Sequence, residues 1–121
     1  MKVAVLSETH PGEARVALTP DALGPLRNRD LTVVVQSGAG EDASHPDDAF
    51  REAGAEIASD AASTLAGADI VLRVRPPTTA EAAALTSGQT LLSFLAPLDH
   101  PEIVGTLAEK GVTAFSMELV P

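Results

Sequence analysis

The chain has 121 residues, a length that fits one domain, and a compact domain of this size buries roughly 60–70% of the surface of its unfolded chain, so a core forms without covalent staples. A formal charge of −9, with three Phe and no Tyr or Trp, argues against a phosphate backbone, an anionic membrane surface or base-stacking platforms as partners. The absence of cysteine excludes a disulfide framework, a thiolate nucleophile and any thiolate-ligated metal.

Met1 leads straight into Lys2-Val3-Ala4-Val5-Leu6 with no long apolar region behind a basic start, so no signal peptide is expected. No stretch approaches the roughly 18 apolar residues of a membrane span, and a soluble, cytoplasmic domain is the expectation. Lys2–Leu6 reads as a buried strand. Thr19-Pro20 predicts a helix start, with Thr19 as N-cap and proline at the first helical position. Leu23 and Leu26 then face inward, and Gly24-Pro25 keeps that helix short or kinked. Leu31–Val35 is a strand covered on both faces. A loop over Ser37–Pro46 follows, and Asp47–Ala53 reads as a helix stopped by Gly54.

Ala55–Ala58 is a short strand, and Asp60 caps a short helix that ends at Gly67. Ile70–Val74 is the clearest strand, central and apolar on both faces until Arg73. Thr78 and Glu81 form a capping-box pair before an Ala-rich helix. Thr90–Leu95 is a strand, and Asp99 with Glu102 reads as a second capping box. The helix that follows runs to Lys110 and stops at Gly111, and Val112–Met117 is the last strand. This alternation predicts an α/β fold, a parallel, flavodoxin-like sheet of five or six strands with helices on both faces.

In such sheets ligands sit beyond the carboxyl ends of the strands. The loops there are Ser7–Leu18, Ser37–Pro46, Arg75–Thr78, Ala96–His100 and the residues after Met117. Arg15 lies in the first of them, and a period of two places Arg73 and Arg75 on one face. Two readings stand side by side. Arg15 with Arg75 is an anion-binding pair, since a guanidinium fork suits a carboxylate; or these arginines are solvated or paired with Glu8, Glu13 or Asp69, which spacing alone favours.

Ser37-Gly38-Ala39-Gly40-Glu41 lacks the third glycine of the dinucleotide fingerprint, with Ala43 and His45-Pro46 in the way, and reads as a plain turn. His10, His45 and His100 show no metal-ligand spacing and read as surface residues, so no metal site is expected. Ser7, Ser93 and Ser116 lack the setting of a hydrolase nucleophile. No catalytic residue is identified from the residues alone.

Four segments in register resemble one family. Pro11-Gly12-Glu13-Ala14-Arg15-Val16-Ala17-Leu18-Thr19-Pro20 resembles the opening signature of the alanine dehydrogenase / nicotinamide nucleotide transhydrogenase family. Val35-Gln36-Ser37-Gly38-Ala39-Gly40 resembles its second motif and Ala68–Pro77 its third. Val112–Pro121 resembles the fourth. The likeness spans essentially the whole chain and is closer to the transhydrogenase α subunit. Ala96 stands where the dehydrogenases carry a substrate-site histidine, and Arg75-Pro76-Pro77 where they usually have Lys-Glu-Pro. Ser7 and Thr9 also depart from the family's usual lysine and arginine.

The resemblance implies an oxidoreductase lobe, with Arg15 and Arg75 matching the dehydrogenases' pyruvate-binding Arg and Lys. It implies NAD(H) as cofactor, held only together with a Gly-rich Rossmann lobe that residues 1–121 do not include. The chain is then the first lobe of a two-lobed NAD-binding module, a fragment or a split gene product, inactive in isolation. Its implied partners are the rest of the α subunit, NADP(H)-binding and proton-translocating membrane components, and a second copy in a homodimer, with the domain peripheral to the inner membrane. An amino-acid dehydrogenase lobe and a free-standing binding or assembly module are the alternatives. An exposed apolar strip over Phe115, Met117, Leu119 and Val120 is also expected.

Overall fold

A computed structural model describes residues 1–121. Six strands, β1 (Lys2–Val5), β2 (Thr32–Gln36), β3 (Glu56–Ala58), β4 (Ile70–Leu72), β5 (Thr90–Ser93) and β6 (Thr113–Ser116), form one sheet in the order β3-β2-β1-β4-β5-β6. Every neighbouring pair is parallel. The connections carry α1 (Leu23–Arg27), α2 (Asp47–Glu52), α3 (Ala61–Leu65), α4 (Thr79–Ala83) and α5 (Pro101–Glu109). The expected parallel sheet flanked by helices is present. Without the three-residue edge strand β3 the order is that of flavodoxin; with it, the sheet has the doubly wound order whose switch point lies between β1 and β4.

Local chemistry explains most element boundaries. Asp60 accepts the Ser63 N–H at 2.7 Å and starts α3. At α4 the Thr78 hydroxyl accepts from the Glu81 N–H while Glu81 accepts from the Thr78 N–H, a complete capping box. Two expected caps differ. Thr19 has the extended backbone of an N-cap but makes no side-chain bond, and Pro20 opens a single 3-10 turn before α1. At α5 the proline sets the start: with Pro101 at the first helical position the N-cap is His100, so Asp99 lies one residue too early to cap.

The alternation of side chains splits the core into two layers. On one face Ala4, Leu6, Val71, Leu91 and Leu95 pack under Ala82 of α4, Leu85 just beyond it, and Ile103 and Leu107 of α5. On the other, Val3, Val5, Val33 and Val35 pack under Leu23 of α1 and Phe50 of α2. Phe50, Leu23 and Leu91 are wholly buried, and each contributes about 1.5–3 kcal/mol of transfer free energy by ordinary area scaling.

The second face is covered on one half only. Register places Leu72, Leu92 and Phe115 side by side on the same face as Val5. Over β5 and β6 this face meets no helix: Phe94, Phe115 and Met117 are exposed, as are Leu119 and Val120 beyond them. The expected apolar strip is therefore present, and it continues inward from the C-terminal segment onto the sheet. No helix is long and apolar enough to cross a membrane.

Candidate functional site

The loop after β1 is shaped by its own sequence. His10-Pro11-Gly12-Glu13 forms a turn closed by the Glu13 N–H donating to the His10 carbonyl at 3.1 Å. Proline pre-sets the second position and Gly12, at φ +83°, supplies the left-handed third. The turn delivers Glu13 beside Arg15. One Glu13 oxygen accepts from both the Arg15 amide and Nε at 2.9 Å, and the other accepts from Nη2 at 2.7 Å. The Glu13 side chain is 8% exposed and that of Arg15 63%. The Arg15 side-chain and backbone hydrogen bonds hold the Glu13 carboxyl down at about 2, and the Glu13 side-chain hydrogen bond and charge raise the Arg15 guanidinium in turn.

Glu8 stitches this loop to the segment after β4. Its two oxygens accept from the Val74 and Arg75 amides, each at 2.9 Å. Glu81 makes a second stitch, accepting from Arg73 Nη2 at 2.8 Å and the Thr9 hydroxyl at 3.0 Å. Burial works to raise the Glu81 carboxyl, but the Thr78 amide, the Arg73 charge and the two threonine hydroxyls outweigh it and leave it lowered. The regular strand ends at Leu72, so the period of two does not carry through, and the two arginines part. Arg73 is buried against Glu81. Arg75 turns toward the loop after β1.

Arg75 differs electrostatically from its neighbours. Its Nη2 lies 2.8 Å from His10 Nε2, while His10 Nδ1 lies 3.0 Å from the Pro11 carbonyl. A carbonyl only accepts, so Nδ1 carries the proton and Nε2 accepts from the guanidinium. Arg75 forms no ion pair, unlike Arg15, Arg51 and Arg73, and its buried Nε has no hydrogen-bond partner. Its backbone is fixed on both sides, by Glu8 at the amide and by the Ser93 hydroxyl, which donates to its carbonyl at 3.0 Å.

Arg15 and Arg75 line one cavity of about 760 Å³ beyond the carboxyl ends of β4 and β5. Thr78, Thr79, Ala96 and Phe94 complete much of its wall, and Asp99, Glu102 and Glu118 make its rim acidic. Arg15 is paired with Glu13, as the second of the two readings had it, and Arg75 has no ion-pair partner. Asp69 is engaged elsewhere, by the Lys2 amide. His10 and His100 lie at the surface as expected, and both also line the cavity, because their loops lie at the carboxyl ends of strands. His45 instead packs edge-on against Phe50, ring centroids 6.4 Å apart. Ala96 sits in the wall with φ +44°, its carbonyl taken by the Asp99 and His100 amides. No group of three or more metal-ligating side chains is clustered anywhere.

The glycine loop after β2 does not fit a dinucleotide phosphate. The Asp47 carboxylate accepts from the Ser37 hydroxyl at 2.6 Å and the Gly38 amide at 2.9 Å, so two donors that a phosphate would use are taken. Those two bonds hold the Asp47 carboxyl below its usual range. Gly40 has a packing reason: a Cβ there would meet the His45 carbonyl oxygen at 2.5 Å and Phe50 Cε2 at 2.6 Å.

The fold defines a doubly wound α/β domain, with a cavity beside its topological switch point. The chain belongs to the alanine dehydrogenase/PNT N-terminal domain family, whose model matches residues 4–121. It is 42% identical over its whole length to the NAD(P) transhydrogenase subunit alpha of Cereibacter sphaeroides, of which it covers 23%. It is 37% identical over 99% of its length to the alanine dehydrogenase of Halomonas elongata, covering 32% of that protein. The crystal structure of transhydrogenase from Sinorhizobium meliloti superposes on the whole chain with a TM-score of 0.94 at 32% identity, and the chain covers 36% of it. The chain thus spans about a quarter to a third of the length of the relatives it matches.

Proposed function

We propose that the chain is the first lobe of the NAD(H)-binding component of a proton-translocating NAD(P) transhydrogenase, which passes hydride between NADH and NADP+. The observation that carries this reading is the cavity at the switch point, walled by Arg75 and Arg15, in a chain 42% identical throughout to a transhydrogenase subunit alpha. Cofactor binding belongs to the two lobes together, because the glycine loop of this one has its donors engaged by Asp47. The role left to this lobe is to wall the cleft and present cationic groups to an anionic ligand, with Arg75 the stronger anchor because its guanidinium is in no ion pair.

A second reading, the substrate lobe of an amino-acid dehydrogenase, draws on the 37% identity to an alanine dehydrogenase and on two guanidiniums suited to a keto-acid carboxylate. The test is to express the chain with the dinucleotide-binding lobe of its gene and assay both reactions. Hydride transfer from NADH to an NADP+ analogue once the membrane component is added supports the first reading. Alanine-dependent reduction of NAD+ without that component replaces it with the second.

A further inference from the structure

We infer that Glu13 is a positioning residue: it holds the Arg15 guanidinium so that the edge it leaves free is presented to a carboxylate or similar small anion in the Arg15–Arg75 cavity. The inference rests on the reading of that cavity as an anion site. A guanidinium has two edges able to bind a carboxylate with two parallel hydrogen bonds. Glu13 takes the Nε/Nη2 edge with both of its oxygens. The end edge, Nη1 with the second proton of Nη2, has no partner in the chain, and the Arg15 side chain lines the cavity while remaining largely exposed.

Glu13 is itself fixed. Its side chain is covered to 8% exposure in a loop whose neighbours are exposed, it accepts a third hydrogen bond from the Arg15 amide, and the glycine turn before it sets its backbone. A loosely held acid would be displaced by an incoming anion and would act as a competitor. A fixed one orders the arginine before the ligand arrives, which removes part of the side-chain entropy that binding must otherwise overcome. It also cancels the Arg15 charge locally and leaves Arg75 as the net positive centre.

Charge and positioning predict opposite signs. Glu13→Gln removes a negative charge beside the site, so electrostatics alone would tighten anion binding. If Glu13 positions Arg15, the same substitution weakens it, because the glutamine amide group repels Nη2 and frees the guanidinium.

The probe is trifluoroacetate, a monocarboxylate that stays ionised over the whole working pH range, titrated into the 121-residue chain and followed by fluorine and amide NMR. Binding by the wild-type chain, lost in Arg75→Ala, establishes the anion site. Glu13→Gln should then weaken binding roughly five- to tenfold with the amide spectrum otherwise intact. That loss should vanish in an Arg15→Ala background, as a coupled pair requires. Between pH 7 and 4 the wild-type affinity should show no step from Glu13, whose carboxyl is held at about 2. Equal or tighter binding by Glu13→Gln, or an unchanged loss when Arg15 is absent, overturns the positioning role while leaving the anion site standing. No binding by the wild-type chain overturns the anion site itself, and the inference with it.

Discussion

The Glu8 carboxylate reaches across 67 residues of sequence to accept the Arg75 amide at 2.9 Å, with its other oxygen on the neighbouring Val74 amide at 2.9 Å. One side chain thereby fixes the backbone of an arginine that lines the cavity, and ties the loop after β1 to the segment after β4. Glu8→Ala leaves two partly buried amides without acceptors. Bonds to a charged acceptor contribute about 1.5–3 kcal/mol each, so with two of them lost a decrease of about 3–6 kcal/mol is expected. Urea unfolding measures it. A change below about 0.5 kcal/mol, the usual range for surface substitutions, would mean that water replaces the carboxylate without penalty.

The two core layers and the parallel sheet were legible because buried strands write themselves as apolar β-branched runs, as in Val33-Val34-Val35 and Ile70-Val71-Leu72. The caps at Asp60 and Thr78 were legible for the same local reason, since their partners lie three residues away. The cap assigned to Asp99 failed because Pro101 moved the helix start by one residue. What joins the site was not legible. The pairs Glu8–Arg75, Thr9–Glu81 and His10–Arg75 span 65 to 72 residues, and no periodicity reports which of many acids a distant loop will meet. The Pro11-Gly12 turn that aims Glu13 at Arg15 was written in the sequence, as turn chemistry rather than as a motif spacing.

Two glycines should respond oppositely to alanine. At Gly40 the added Cβ meets a backbone carbonyl oxygen at 2.5 Å and the Phe50 ring at 2.6 Å, and overpacking of this kind costs about 1–3 kcal/mol. Gly105 lies inside α5 with open space around the added atom, where alanine is favoured by about 0.5–1 kcal/mol. Thermal unfolding of Gly40→Ala and Gly105→Ala should therefore shift the midpoint in opposite directions. A Gly40→Ala chain as stable as wild type would show that the 41–46 turn is softer than its packing suggests.

Acid should destabilise the fold through a small set of carboxylates. Glu13 is held at about 2 against an ordinary 4.5, chiefly by the Arg15 hydrogen bonds. Asp47 is lowered by Ser37 and Gly38, and Asp60 by Ser63. Each binds its proton more weakly folded than unfolded, so its contribution is fully present above the unfolded value and is lost as pH falls through the folded one. Stability should decline from about pH 4.5 downward and go on falling to about pH 2. Glu13→Gln should flatten the lowest part of that curve. An undiminished slope between pH 4 and 2 in this variant would place the proton uptake on other groups.

The uncovered half of the sheet predicts self-association of the 121-residue chain. Phe94, Phe115 and Met117 are each 41–49% exposed and Leu119 reaches 67%, a contiguous apolar surface of the kind that marks an interface. Sedimentation should show mass rising with concentration, and a hydrophobic dye should bind. Phe115→Ser should reduce both with little loss of stability, because that ring is only half-buried. A strict monomer at high concentration that binds no dye would contradict the exposure of this face.

NADH should bind the 121-residue chain very weakly or not at all. Dinucleotide affinity comes largely from a pyrophosphate resting on free amides at a helix N-terminus behind a close-approaching glycine turn. The places in this chain that most resemble such a cradle each have part of their donor set engaged or missing. Gly38 and Ser37 donate to Asp47, and the start of α4 is closed by its own Thr78–Glu81 box. The start of α5 is led by Pro101, which has no amide proton. A net charge of −9 opposes two phosphates as well, by a margin that salt reduces. Arg75 remains as a local attraction, but one guanidinium in an acid-rimmed cavity is a poor substitute for a row of amides. Calorimetric titration of NADH at low salt decides the matter. A dissociation constant near micromolar, about −8 kcal/mol, would show that this lobe holds the cofactor unaided and that the division of labour between lobes proposed above is wrong.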